Sequence, residues 1–553
     1  MGYDLVIRGG DIVDGSGLPR YRTDVGVIGD RIAKVGRIAE RGAREIDAEG
    51  HVVTPGFIDG HTHMDAQINW DPLSSPACYQ GITSVVMGNC GFTLAPSRAD
   101  ARGMVVKNLE RAEDISAAAM ALGITWGWET FPEYLDYVDK LPKGLNHAVY
   151  VGHSALRTWA MGERAFEAEA NADELAAMCS ELKSGVDAGA IGFSSSRSFA
   201  HETADNHPVA SRVGSWDEVR ALVGVLGDMG KGMFELALGG QVPDGLEELA
   251  IETRVPVTFG VGAVGGTSWR EQLQMFDRVA GLGGRMIGQT HSRGLTILLS
   301  FQSGLPFDKL PSWAPFRALP LAEQERRLRS EPELRAALVD AIHNEAYPRA
   351  LSAEPRRPKW DLIEVRNGAL PPYRNLGELG REQNRDPAEI MIDLALASEG
   401  LSQIFVQNIA PYPEEDLLAT LRHPRTVMTF SDSGAHVSQI SDCSIHTYLL
   451  AYWVRTREQF TLEEAVRMIT LVPAATWGFA DRGLIREGLK ADLNVFDPAT
   501  IAPDTPRVVH DLPGGSRRYL QGATGIRATV VNGQTLMENG AHTGALPGRL
   551  LRH

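Results

Sequence analysis

Cysteine is scarce: Cys78, Cys90, Cys179 and Cys443 are the only four in 553 residues, and none forms a C-x-x-C pair. That excludes a disulfide framework. Uninterrupted apolar runs of membrane-spanning length are also missing, and MGYDLVIRGG lacks the basic region and apolar block of a signal peptide. The sequence therefore predicts no membrane partner and a cytoplasmic protein. Basic residues are outnumbered, 54 Lys and Arg against 70 Asp and Glu, and the net charge of -16 argues against nucleic acid or an anionic membrane surface as partner. Disorder is not indicated either, since 43% of residues are apolar, 22% are charged and 58 glycines supply tight turns. The length predicts two to four domains.

What is present begins with Val52 to Asp65, VVTPGFIDGHTHMD. An apolar run (Val52, Val53, Phe57, Ile58) ends in two histidines one residue apart, His61 and His63, with Asp59 and Asp65 alongside. Residues two apart on an extended chain face the same way, so a strand here delivers both imidazoles to one side, close enough to hold one metal ion. A bare His-x-His is more often a surface or capping pair. The buried-strand signature directly before this one favours ligation.

The two ends of the chain share a texture. Residues 3–50, and again 491–498 and 526–540, read as short strands and hairpins, with Asn532-Gly533 as a turn. This predicts a small β-sandwich domain from residues 1–54 with 486–553, into which residues 55–485 are inserted. In the middle, apolar runs recur within 81–91, 146–157, 189–198, 231–239, 255–262, 285–294 and 426–436. Helical patterns separate them, such as the one capped by Asn171 and Glu174. Counting the run at Val52, eight strand-plus-helix units predict an α/β chain with a closed (β/α)8, TIM-like barrel. A doubly wound open sheet is the structural runner-up; polar residues at the carboxyl ends of the strands decide for the barrel. Residues 295–404 interrupt the pattern before the last strand, Pro-rich at first and then helical, and with Trp313, Phe316 and Trp360 they predict an ordered cap over the barrel mouth.

Further chemistry sits at predicted strand ends. Cys90 in GNCG offers a thiolate that can ligate or bridge metals, with a buried structural cysteine as the alternative. Asp432 in FSDSGAH offers a carboxylate that can bind metal and take a proton from water, with a helix cap as the alternative. The other cysteines read as plain: Cys179 falls at helical spacing with Leu175, Met178, Leu182 and Val186, as a core residue. Arg157, Arg197 and Arg293 each offer a bidentate grip on a substrate carboxylate, against the commoner role of a structural ion pair. His153, Ser195, His201 and His436 are weaker candidates for substrate contact, and Asn89 could position the Cys90 loop or donate to an oxyanion. The serines around Ser195 are not a nucleophile elbow, because no G-x-S-x-G surrounds them.

Together, HTHMD after PGFIDG, GNCG, SDSGAH and the closing PAATWGFADRGLIREGLKADLNVFDP resemble the amidohydrolase superfamily. GITSVVMGNCGFTLAP and VGHSALR narrow the resemblance to the D-aminoacylases (N-acyl-D-amino-acid deacylases), over nearly the whole chain. The resemblance implies a hydrolase with one or two Zn2+ ions, or another divalent metal, surrounded by His61, His63, Cys90 and Asp432. A metal-activated water would cleave the C-N bond of an N-acyl-(D-)amino acid or related small-molecule amide, with Asp432 carrying the proton to the leaving nitrogen. A homo-oligomer is the expectation for the superfamily.

One departure matters. D-aminoacylases carry a metal-binding histidine at the end of each of the fifth and sixth barrel strands, and the matching segments here, MFELALGG and VTFGVGAV, have none. Glu235 is a substitute ligand in this reading, with a carboxylate paired to Arg or Lys as its alternative. His291 in GQTHSRG is a catalytic contact to the substrate or transition state, with metal ligation second. The centre is then mononuclear or rebuilt. A cyclic amide, imide or lactone hydrolase is the alternative activity. A non-catalytic amidohydrolase-like protein is the alternative class, and the joint presence of His61, His63, Cys90 and Asp432 argues against it.

Overall fold

The computed structural model describes residues 2–553 except 240–241, 263–267, 352, 410–411 and 441. The tails of the two histidine-free segments, Gly240, Ala263 and Val264, thus lie outside the described residues.

Eight strands carry the site: β1 (Phe57–Asp59, extended by His61–Thr62), β2 (Ile82–Met87), β3 (Asn146–Gly152), β4 (Gly192–Ser196), β5 (Met233–Ala237), β6 (Val257–Gly260), β7 (Met286–Thr290) and β8 (Thr426–Met428, extended by Phe430–Ser433). They lie side by side in chain order in one parallel sheet. The extensions of the first and last strands also pair in parallel, Phe430 opposite His61 and Ser433 opposite Thr62. This is a TIM-like barrel, as the strand count predicts. β2 and β3 are buried along their whole length, because a parallel strand is covered by helices on one side and barrel interior on the other. The helix Ala172–Asp187 opens with the predicted capping box of Asn171 and Glu174. On that helix Met178, Leu182 and Val186 are buried, but Cys179 is only half-buried, at the edge of the stripe rather than in the core.

Strands from the two ends of the chain pair in one nine-stranded sheet. Its path runs from Ala541–His542 through Gln534–Glu538, Ile526–Val531, Leu493–Phe496, Val52–Pro55, Tyr3–Ile12 and Tyr21–Ile28 to Arg31–Gly36, with Gly42–Asp47 pairing Tyr3–Ile12. Residues 295–404 have a core of their own around Phe307, Trp313, Phe316, Leu338 and Met391. Two ion pairs tie this insertion to loops of the barrel, Arg111 Nε to Glu354 at 3.0 Å and Arg349 to Glu202 at 2.7 Å. Trp313 is fully buried there and Trp360 packs at the periphery. Among the described residues, no helix is long and apolar enough to cross a membrane.

Candidate metal centre

His61 and His63 leave the end of β1 as the two-residue spacing requires, their rings 5.5 Å apart. Across the closing seam of the barrel, Asp432 Oδ1 stands 3.1 Å from His63 Nε2 and 3.5 Å from His61 Nε2. Asp432 adopts φ +58°, in the left-handed region that non-glycine residues avoid, and Cys90 does the same at φ +57°. Gly434 can be nothing larger: a Cβ there would lie 2.4 Å from the carbonyl oxygen of His63. The SDSG turn is thereby pressed against the histidine strand.

Cys90 follows β2 on a loop pinned from several sides. Glu235 Oε2 accepts its N–H at 2.7 Å, Ser194 Oγ accepts from Gly91 N at 3.1 Å and donates to Gly88 O at 2.5 Å, and Asp65 Oδ2 accepts from Gly88 N at 3.0 Å. Asn89 spends its amide on the carbonyls of Thr62 and Val86, at 3.1 and 3.0 Å, which locks the loop to β1. Cys90 Sγ ends 3.4 Å from His61 Nε2. The other nitrogen of His61 lies 2.6 Å from Gln289 Oε1. With the amide acceptor facing it, Nδ1 carries the proton and Nε2 is left as the ligating atom, the arrangement that orients metal-bound histidines.

Two residues join this cluster that strand-end reasoning assigns no metal role. Glu113, on the loop after the helix Arg102–Glu110, is buried with Oε2 3.6 Å from His63 Nε2 and 3.9 Å from His436 Nε2. His201, on the loop after β4, is held by a 2.7 Å hydrogen bond between Nδ1 and Ser196 Oγ. Among the described residues, three trios of ligand atoms lie within 4.8 Å of one another: His61, His63 and Cys90; Cys90, Glu113 and His201; His63, Glu113 and Asp432. Glu235 and His291 belong to none of them. Glu113 follows a helix, not a strand, and carries no sequence signal of its own.

The donors fit a cation. Burial alone would strip His63 of its proton, yet Glu113 and Asp432 outweigh it and push the imidazole up to about 10. Burial raises the Cys90 thiol well above its ordinary value, and the carboxylates of Glu235, Glu113 and Asp432 add to this. His63 Nδ1 and Glu113 Oε1 make no hydrogen bond although buried. A pocket that draws a proton onto an imidazole and leaves these atoms unpaired has the charge and lone pairs for a divalent metal held by imidazole, thiolate and carboxylate.

The remaining candidates divide. His291, at the end of β7, makes no hydrogen bond through either nitrogen. With Arg293, Phe430, Leu238, Val261 and Leu417 it lines a cavity of about 360 Å³. Phe430 is a wall shared with the metal cluster, its ring 4.1 Å from that of His61 and 5.2 Å from that of His291. Arg293 faces the Tyr448 ring at 5.7 Å and Ser444 Oγ at 3.5 Å. Three sequence candidates for substrate contact are corrected. Arg157 is fully buried against Glu218, at 2.5 Å, and the carbonyl of Ala168, at 2.6 Å. His153 bridges Ser195 Oγ, at 2.8 Å, and Glu218, at 2.7 Å. Arg197 donates to the carbonyls of Gly214, at 2.7 Å, and Ser215, at 3.1 Å. These groups are committed to fastening the helix Trp216–Met229 and the loop before it to the barrel.

The Amidohydrolase family profile matches residues 44–286 and 330–537. The D-aminoacylase of Alcaligenes xylosoxydans xylosoxydans is 29% identical over 99% of this chain and 97% of its own length. A solved D-aminoacylase structure, described by its binuclear metal centre, superposes with a TM-score of 0.65 at 25% identity, covering all of both chains. So does N-acyl-D-glutamate deacylase from Bordetella bronchiseptica in complex with zinc and a phosphonate inhibitor, at a TM-score of 0.64, 25% identity and full coverage of both. The chain belongs to the amidohydrolase family.

Proposed function

We propose that this chain is a metal-dependent hydrolase, zinc being the first choice, that deacylates N-acyl-D-amino acids. The observation that carries the reading is the convergence of His61, His63, Cys90 and Asp432 at the carboxyl ends of β1, β2 and β8, in a chain similar over its full length to D-aminoacylase. When bound, a divalent metal polarises an amide carbonyl and makes water acidic enough to attack at neutral pH. The chain's own residues do the rest. Asp432 accepts the proton of the attacking water and returns it to the leaving nitrogen. His291 meets the carbonyl oxygen from β7, and Arg293 beside it grips the substrate carboxylate. In this reading residues 1–54 with 486–553 form the supporting β domain, residues 55–485 carry the chemistry and residues 295–404 cap it. The enzyme works in the cytoplasm on a small-molecule amide, as a homo-oligomer.

The test is release of free amino acid from N-acetyl-D- and N-acetyl-L-amino acids, with a cyclic amide as the competing substrate. The D series is the one turned over. Asp432→Asn retains metal and loses about 10²- to 10⁴-fold in kcat. Metal content well under one equivalent, with no activity restored by added divalent ion, overturns the enzyme reading. Full turnover by Asp432→Asn overturns the proton-transfer role.

A further inference from the structure

The fifth and sixth strands bring no histidine to the centre, yet the described residues of the cluster offer more ligands than one ion needs. We propose that Glu113 and His201 are metal ligands and that, with Cys90, they form a second cation position beside the one at His61 and His63. This rests on the metal-dependent reading above and shifts the centre toward the loops after β2 and β4.

Glu113 takes part in two of the three ligand trios, and Cys90 links the trio with His61 and His63 to the trio with Glu113 and His201. A thiolate can serve two ions at once. Glu113 is 1% exposed, its Oε1 makes no hydrogen bond, and among the described residues its ion-pair contacts are imidazoles, His63 at 3.6 Å and His436 at 3.9 Å from Oε2. A buried carboxylate without Lys or Arg is expensive unless a cation meets it. His201 is held at Nδ1 by Ser196 Oγ, 2.7 Å away, and this leaves Nε2 for the metal, as the Gln289 contact does for His61.

The backbone around both residues is braced. The carbonyl of Glu113 accepts from His436 N at 2.6 Å. Two residues before Glu113, Arg111 pairs with Glu354 of the insertion at 3.0 Å and approaches Glu202 at 3.7 Å, while Glu202, next to His201, pairs with Arg349 of the insertion at 2.7 Å. Residues 295–404 thus clamp the loop of Glu113 and the loop of His201 together. That clamp gives the insertion a role in assembling the centre beyond covering it.

The experiment is zinc stoichiometry of the purified full chain by mass spectrometry, with Co2+ absorption as a second readout. Wild type holds two equivalents. Glu113→Gln and His201→Gln each retain one, with the cobalt-thiolate band weakened but present. Zinc-edge X-ray absorption of wild type reads the same point without any variant, through a second zinc at roughly 3.5–4 Å. Two equivalents in both variants, or no zinc neighbour in wild type, overturns the proposal. One equivalent in wild type together with D-specific deacylation removes this second position and leaves the proposed function standing. No bound metal and no activity removes both.

Discussion

Glu235 is fully buried on β5, and its Oε2 receives the N–H of Cys90 at 2.7 Å. Burial raises its carboxyl to about 8 despite that hydrogen bond, and the oxygen that accepts it positions the Cys90 loop. Glu235→Gln keeps the acceptor and therefore keeps zinc stoichiometry and affinity. Glu235→Leu removes it, and zinc affinity by chelator competition falls about 10- to 100-fold. Unchanged affinity in Glu235→Leu would sink the positioning role, whereas loss of a full equivalent in Glu235→Gln would make the residue a ligand. The histidines of β1 were legible because a period of two is a local property, and Cys90 and Asp432 because each directly follows an apolar run. Glu113 was not, since its meaning comes from His63 and His436, 50 residues before and 323 after it by number. Arg157 misled for the same reason: an arginine after a strand reads alike whether it meets a substrate or Glu218.

The helices behind β3 and β4 are fastened by that buried group. Ser215 caps the helix Trp216–Met229 through Glu218 N, and Glu218 in its first turn receives Arg157 at 2.5 Å and His153 at 2.7 Å. Burial alone would raise the Glu218 carboxyl, but its hydrogen bond and charge contacts with His153 and Arg157 win, and it falls from 4.5 to about 2. Burial holds His153 below its ordinary value, so Arg157 supplies the permanent charge. Arg157→Leu leaves the carboxylate buried and unpaired, and urea unfolding at pH 7 shows a loss of about 3–5 kcal/mol. The carboxylate's contribution is complete above about 4.5 and disappears as pH falls through about 2. Glu218→Gln is therefore less stable than wild type at pH 7, and the difference narrows between pH 5 and 3. A difference that stays constant across that range would mean the carboxyl does not titrate as the ion pair requires. The strands around this group were plain in the sequence; their fastening was not, because one salt bridge here spans 61 residues.

At the scale of the whole molecule, the order of eight strands and the meeting of the termini were readable because both follow from runs of apolar residues and turns. The path of residues 547–553 was not, since after the Pro547-Gly548 turn signal RLLRH has no periodicity to say where it packs. This tail is threaded under the barrel at the amino ends of β3 and β4. Gly548 N donates to Lys143 O at 2.8 Å, His147 N to Arg549 O at 2.9 Å, Leu551 N to His147 O at 2.7 Å and His553 N to Gly189 O at 3.0 Å. Gly548 is required by the closeness of the approach, because a Cβ there would lie 2.0 Å from the carbonyl oxygen of Leu145. Leu550 is buried at the end opposite the metal ligands. Removing residues 547–553 deletes these hydrogen bonds, each worth roughly 0.5–1.5 kcal/mol, and uncovers the strand ends they satisfy. The truncated chain should unfold at lower urea, by about 2–6 kcal/mol in all on the same scale, while its zinc stoichiometry, set at the other end of the barrel, stays that of wild type. A truncated chain with unchanged urea midpoint would show that the tail only lies on the surface, and one that loses zinc without losing stability would show that the two ends of the barrel are coupled.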